Sequence, residues 1–170
     1  ERLLMPIPDA WSFAQAAAVP EAFLTAYSNV IEIGRLVEDE TLLIHAVTSG
    51  VGTAAVQLGK LVGARVVGSG RNPVKLARVR DLDEAVTVWE HVRADVILDV
   101  FGGGALENNI ACLNEGGRLV VIALMHGTTG ELDLRAMLTR RLQVTATTLR
   151  ARPVAEKARL TAAFLPWLGK

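Results

Sequence analysis

An apolar, β-branched run from Thr41 to Val47 stops at Ser49-Gly50-Val51-Gly52-Thr53-Ala54-Ala55, after which Ala55, Val56, Leu58 and Val62 return at near-helical spacing. Strand, glycine turn and helix in that order constrain the fold more than any other stretch of the chain. The turn contains Gly-x-Gly-x-x-Ala. Its first Gly allows a tight turn and its second lets a pyrophosphate approach the backbone. The Ala lets the helix pack closely on the strand, and free N–H groups at the helix start face the anion. Taken alone the pattern also fits a glycine turn in an unrelated α/β protein; the surrounding elements give it weight.

Those elements alternate. Ser12 is placed to cap a short Ala-rich helix through Ala18, and Pro20 suits the first position of a second helix running to about Ile33 and stopping at Gly34. Beyond the first βα unit, Arg65 to Ser69 reads as a strand and Asn72-Pro73 as the start of a helix to about Arg80. Asp95 to Val100 is a further strand, ended by Gly102-Gly103-Gly104 and followed by a helix around Leu106 to Leu113. Arg118 to Leu124, a short helix near Leu134 to Leu138, the alternating strand Leu142 to Leu149 and a helix from Pro153 to about Leu165 complete the pattern. The expected fold is α/β: a Rossmann-type, doubly wound, mostly parallel six-stranded sheet in the order 3-2-1-4-5-6, covered on both faces. Ala85 to Val88 is read as its short edge strand, although Ala85, Val88, Trp89 and Val92 also match helical spacing. The crossover that follows must pass two strands, roughly 14 Å, and the six residues 89–94 can span this without building a full helix.

In a chain of 170 residues, 51% apolar, one domain is expected. Residues 1–40 are expected to form a lead-in linker and helices packing on the domain, and 41–170 the dinucleotide-binding domain. The opening Glu1-Arg2-Leu3-Leu4-Met5-Pro6-Ile7-Pro8 reads as a linker already under way, so the chain is expected to be excised from a longer, two-domain protein. Eighteen Lys plus Arg balance eighteen Asp plus Glu, which gives no global field toward nucleic acid or an anionic membrane. Leu119 to Met125 is the longest apolar run, far below a membrane span of about 20 residues. A single Cys112 excludes an intramolecular disulfide and makes no metal-spaced cluster with the three His, so no metal is expected and a cytoplasmic location is.

A domain of this kind that chooses NAD carries Asp or Glu about twenty residues beyond the glycines, on the ribose hydroxyls. Here the region reads Gly68-Ser69-Gly70-Arg71-Asn72-Pro73-Val74-Lys75. No carboxylate is present, and Arg71 and Lys75 suit a 2′-phosphate, so NADPH is the expected cofactor. Arg78 and Arg80 read better as a solvated helix face.

Several stretches together resemble the quinone oxidoreductase branch of the medium-chain dehydrogenases/reductases, the NADPH:quinone reductases similar to zeta-crystallin and the p53-inducible quinone reductase. They are Pro20-Glu21-Ala22-Phe23-Leu24-Thr25-Ala26-Tyr27, Leu43-Ile44-His45-Ala46 before the glycine turn, Lys75-Leu76-Ala77-Arg78, and Asp95-Val96-Ile97-Leu98-Asp99. Gly116-Gly117-Arg118-Leu119-Val120 and Thr148-Leu149-Arg150-Ala151-Arg152 extend the likeness nearly end to end. The resemblance implies a two-domain enzyme whose barrel-like catalytic domain is missing from this chain, and hydride transfer from NADPH to a quinone or enone without zinc. It implies that Ser49, Gly50, Val51, Gly52 and Thr53 hold the pyrophosphate and that Arg71 and Lys75 hold the 2′-phosphate. Thr25, Phe101, Leu124, Met125 and Leu149 would lie at the nicotinamide end. It also implies a homodimer paired through the edge strand Leu142 to Leu149. Two departures stand out: Trp89 occupies the place of a Tyr near the adenosine phosphate, and His126 replaces a small residue after Met125.

No nucleophile and base are paired in the sequence, and no catalytic residue is assigned. His45 lies inside a strand and reads as core, Cys112 reads as a buried helix residue, and Asp99 fits either a structural or a functional carboxylate. An enoyl-thioester reductase of the same superfamily would have a similar cofactor domain, and a module that senses NADPH without turnover is the rival from another class.

Overall fold

In the computed structural model, which describes residues 2–169, the apolar runs form a six-stranded, all-parallel sheet in the order β3-β2-β1-β4-β5-β6. The strands are β1 (Thr41–Ile44), β2 (Arg65–Ser69), β3 (Glu84–Val86), β4 (Ala94–Asp99), β5 (Leu113–Val121) and β6 (Gln143–Ala146). Glu1, where the expected linker begins, and Lys170 lie outside the described residues. This is the doubly wound topology read from the sequence. Alternate residues of the central strands feed two cores. Leu42, Ile44, Val66, Val96 and Leu98 meet the helices of one face, and Leu43, Val67, Ile97 and Leu119 those of the other. Burial on both faces is why these strands read as continuous apolar runs instead of alternating ones.

The helices are α1 (Phe13–Ala17), α2 (Val19–Ala26), α3 (Gly50–Val62), α4 (Pro73–Leu76), α5 (Leu106–Cys112), α6 (Leu134–Arg140) and α7 (Val154–Phe164). Ser12 caps α1: its hydroxyl accepts the Gln15 N–H, and the Gln15 side chain accepts the Ser12 N–H in return. Residues of α2 share the first core with α3 and α7, where Phe23 and Tyr27 pack on Phe164. Among the described residues no helix is long and apolar enough to cross a membrane.

Strand β1 ends at Ile44, short of the expected Val47 and just before His45, β3 ends at Val86 and not Val88, and β5 begins at Leu113 and not Arg118. Four further boundaries differ from the reading, each for a local reason. The expected helix to Ile33 changes at Tyr27 into a π-helical segment, Tyr27–Ile33, marked by the Gly34 N–H donating to the Asn29 carbonyl five residues back. The helix after Asn72 ends at Leu76, its one buried residue, and tightens through the bonds Arg78 N to Lys75 O and Val79 N to Leu76 O. Strand β5 ends at Val121 because its partner β4 ends at Asp99, and the chain then turns through Leu124 to Gly127. Strand β6 covers only Gln143–Ala146 of the expected Leu142 to Leu149 and is exposed throughout. The crossover from β3 to β4 contains no helix; Trp89 and Val92 cover the sheet there, held by a turn from Val92 N to Trp89 O.

Candidate functional site

The chain leaves β1 for one face of the sheet and β4 for the other, which opens a crevice at the carboxyl ends of the central strands. The glycine turn sits at its mouth. Ser49 is the N-cap of α3, and its Oγ accepts the Gly52 N–H at 3.0 Å. The Thr53 hydroxyl donates to the carbonyls of Ser49 and Gly50, at 3.1 and 3.0 Å. The N–H groups of Gly50 and Val51 start the helix and have no intrahelical acceptor, so they face an incoming anion. Gly52 has to be Gly: a Cβ there would lie 2.5 Å from the Val47 carbonyl oxygen, against the backbone that ends the strand. Nothing but Ala22, at 3.9 Å, stands near a Cβ at Gly50, so that side of the turn is open to a ligand.

Beside the turn, a groove of about 680 Å³ runs between α3 and α4, lined by Thr48, Thr53, Gln57, Lys75, Arg78, Arg80 and Asp81. Three cations against one carboxylate give it a net positive lining that could hold a phosphate. Lys75 is part of this lining; Arg71 is exposed and lies outside it. Arg78 and Arg80, expected on a solvated face, line the groove with Lys75. The spacing of Lys75 and Arg78, three residues apart, already places them on one side of a turn.

A second groove, of about 470 Å³, lies at the ends of β5 and β6, bordered by Val121, Ile122, Ala123, Leu124, Ala146, Thr147 and Thr148. Leu124 and Met125 are exposed. Leu149 is half-buried against the first core and lines a different depression beside α2 and α7, away from Leu124. Thr25 is half-buried, and its carbonyl accepts from the Asn29 side chain. Phe101 is buried, its ring flat against His126 at 4.5 Å and in contact with Trp89 and His45, and its carbonyl accepts the His126 N–H at 2.7 Å. Trp89 is thus a half-buried cover for the sheet, packed against His45 and Phe101.

Asp99 proves to be structural. It is fully buried, and its two carboxylate oxygens accept the N–H groups of Phe101 and Gly102, which bends the chain out of β4. His45 is a satisfied core residue, as the sequence suggested: Nδ1 lies 2.7 Å from the Ser69 hydroxyl and Nε2 2.7 Å from Asn109 Oδ1, which fits a neutral ring with its proton on Nε2. Burial lowers its pKa from the ordinary histidine value. The unfolded chain therefore takes up this proton first as pH falls through about 6.5. Stability is full above that pH and is lost below it, until the depressed folded pKa is passed. Tm is expected to fall between about pH 7 and pH 5.5 in wild type and to fall less in His45→Asn; parallel profiles would remove His45 as the cause.

The zinc-binding dehydrogenase family matches residues 50–164. The chain belongs to that family, within the medium-chain dehydrogenases/reductases. Among the described residues of this zinc-binding dehydrogenase chain, no three His, Cys, Asp or Glu side chains are gathered where they could hold a metal ion, so the zinc of the family's name has no ligand set in them. NorB, of the spectinabilin polyketide synthase system of Streptomyces orinoci, is 39% identical over 147 residues, which is 79% of this chain and 6% of NorB. The quinone oxidoreductase of Thermus thermophilus, solved also with NADPH, superposes with a TM-score of 0.82 at 31% identity, over 97% of this chain and 57% of that one. A putative enoyl reductase domain of a polyketide synthase gives 0.73 at 25% identity, over 86% and 89%. The chain thus spans only a small part of its polyketide synthase relatives and a little over half of the Thermus enzyme.

Proposed function

We propose that this NADP(H)-binding domain belongs to a reductase that passes hydride from NADPH to a quinone or enone. One observation carries the reading: a phosphate-suited groove beside the glycine turn and an apolar groove at the ends of β5 and β6 lie along one crevice. Ser49 to Thr53 hold the pyrophosphate, Lys75 with Arg78 the 2′-phosphate, and Arg71 stands outside the groove as a weaker contact. Thr25, Phe101, Leu124 and Met125 lie toward the nicotinamide, with Leu149 on the far side. When bound, the nicotinamide supplies the hydride; the protein orients it and keeps one face dry.

A second catalytic domain completes the site. The isolated 170-residue chain is expected to bind NADPH and to oxidise it negligibly with quinones, whereas the protein with its catalytic domain reduces quinones or enones. Preference of that protein for an enoyl thioester would instead establish the second reading, which the 39% identity to a polyketide synthase protein favours. Quinone turnover by the isolated chain at the rate of an intact reductase would refute the need for a second domain.

The exposed edge of β6 is proposed to pair with its two-fold mate. The Thr147 N–H donates to the Val121 carbonyl of β5, so by alternation the Val144 N–H faces outward; Val144→Pro is expected to shift sedimentation toward monomer, and a wild-type chain that stays monomeric at high concentration would overturn the pairing.

A further inference from the structure

The π-helical segment Tyr27–Ile33 widens the backbone register just where α2 passes the carboxyl end of the sheet. Such segments interrupt hydrogen bonding and recur at functional sites. Here the interruption has a particular result. Asn29, 2% exposed, donates from Nδ2 to the Thr25 carbonyl at 2.7 Å, and its Oδ1 accepts the Thr147 hydroxyl at 2.6 Å. Residue 147 is 118 positions away in sequence and forms a wall of the groove at the β5 and β6 ends. Its N–H also donates to the Val121 carbonyl, on another wall of the same groove. One amide therefore ties α2 to the far side of the groove. Beside it, the Ser28 hydroxyl is buried without a partner, so this segment carries a polar cost that an ordinary helix in an apolar core would avoid.

We propose that Asn29 is a positioning residue: through Thr147 it fixes the width of the groove that receives the nicotinamide half of NADPH, and through Thr25 it fixes the helix facing that half. The proposal rests on the reading of this chain as an NADPH-binding domain with its nicotinamide end at β5 and β6. It assigns no chemistry to Asn29, whose amide holds two other groups in place and is itself shut away from solvent. The adenosine half of the cofactor, at the glycine turn and the Lys75 groove, is untouched by this clamp.

The test separates the two halves. Calorimetric titration of the chain with NADPH and with 2′,5′-ADP, which keeps the adenosine half and its phosphate, is compared for wild type, Asn29→Ala, Thr147→Val and Thr147→Ser. Thr147→Val is expected to weaken NADPH about three- to tenfold, the worth of one hydrogen bond, and to leave 2′,5′-ADP unchanged. Thr147→Ser keeps the hydroxyl and is expected to restore NADPH binding. Fluorescence of the bound reduced nicotinamide should shift in Thr147→Val and return in Thr147→Ser. Should Asn29→Ala fail to fold, the Thr147 pair carries the result, since Thr147 is only half-buried. Equal losses for NADPH and 2′,5′-ADP, or no loss for either, would overturn the positioning role while leaving the cofactor assignment standing. A wild-type chain that binds neither ligand would overturn the cofactor reading, and the proposal with it.

Discussion

Replacing Lys75 and Arg78 together by Ala is expected to weaken NADPH binding roughly a hundredfold and to leave NADH where it was. Both side chains line the groove beside Thr48 and Thr53, and none of the ion pairs among the described residues uses either one. A phosphate entering the groove meets cations with no internal carboxylate to release. Hydrogen bonds to charged groups are the strong ones, each worth about a factor of ten or more when water is displaced. Both residues are exposed in the free chain, so screening reduces the gain and two neighbours do not add fully. A hundredfold for the pair allows for this. Arg71→Ala is expected to cost less than Lys75→Ala, because Arg71 is outside the groove lining. NADH carries no 2′-phosphate and samples the same glycine turn, so its affinity is the internal control. Equal loss of NADPH and NADH, or equal wild-type affinities for both, would end the assignment of this groove to the 2′-phosphate.

The strands and the glycine turn were legible because their signals are local, and the strand order followed from the doubly wound fold that they point to. A strand covered on both faces is written as a contiguous apolar run, and the turn needs Gly at positions where a Cβ would strike backbone, as at Gly52. The Asn72-Pro73 start and the Ser12 cap were legible for the same reason, since each bond spans three residues or fewer. What the sequence left open depends on backbone geometry that residue types alone do not fix, or on partners distant along the chain. Whether Asp99 serves structure or function turns on where two N–H groups of the next bend point, and which of Arg71, Lys75 and Arg78 line the groove beside the glycine turn depends on where α4 ends. The π-helical register is a further case. Nothing in Tyr27-Ser28-Asn29-Val30 announces it, because the Asn29 amide finds its second partner in Thr147, just beyond β6 and 118 positions away. The helix expected to reach Ile33 has the right length and the wrong register, and the register is what brings Asn29 to the groove.

The largest loss of stability is expected from Arg118, a residue the sequence offers only as the launch of a strand. Its side chain is 12% exposed. Nε donates to the Gly34 carbonyl at 2.8 Å, Nη2 to the Arg35 carbonyl at 3.0 Å, and Nη1 and Nη2 together to both oxygens of Glu40 at 2.7 Å. The Glu40 backbone also takes part, its carbonyl accepting the Arg65 N–H at 2.9 Å, so one cation joins β5, the end of the π-helical segment and the loop that enters β1 and borders β2. In Arg118→Met the chain keeps its apolar stem but leaves two carbonyls and a carboxylate, itself 22% exposed, short of their partner. Breaking a fully buried pair costs about 3–5 kcal/mol; water reaching Glu40 reduces this to about 2–4 kcal/mol. For a chain of this size that lowers Tm by about 5–15 °C. Arg118→Lys should recover little, since a single ammonium cannot form the bidentate fork to Glu40 while reaching both carbonyls. In Arg118→Met with Glu40→Leu no charge is left unpaired, and part of the loss should return. Thermal melts of the three variants decide the matter: an Arg118→Met protein melting within a degree of wild type would show that the fork is only a surface ion pair.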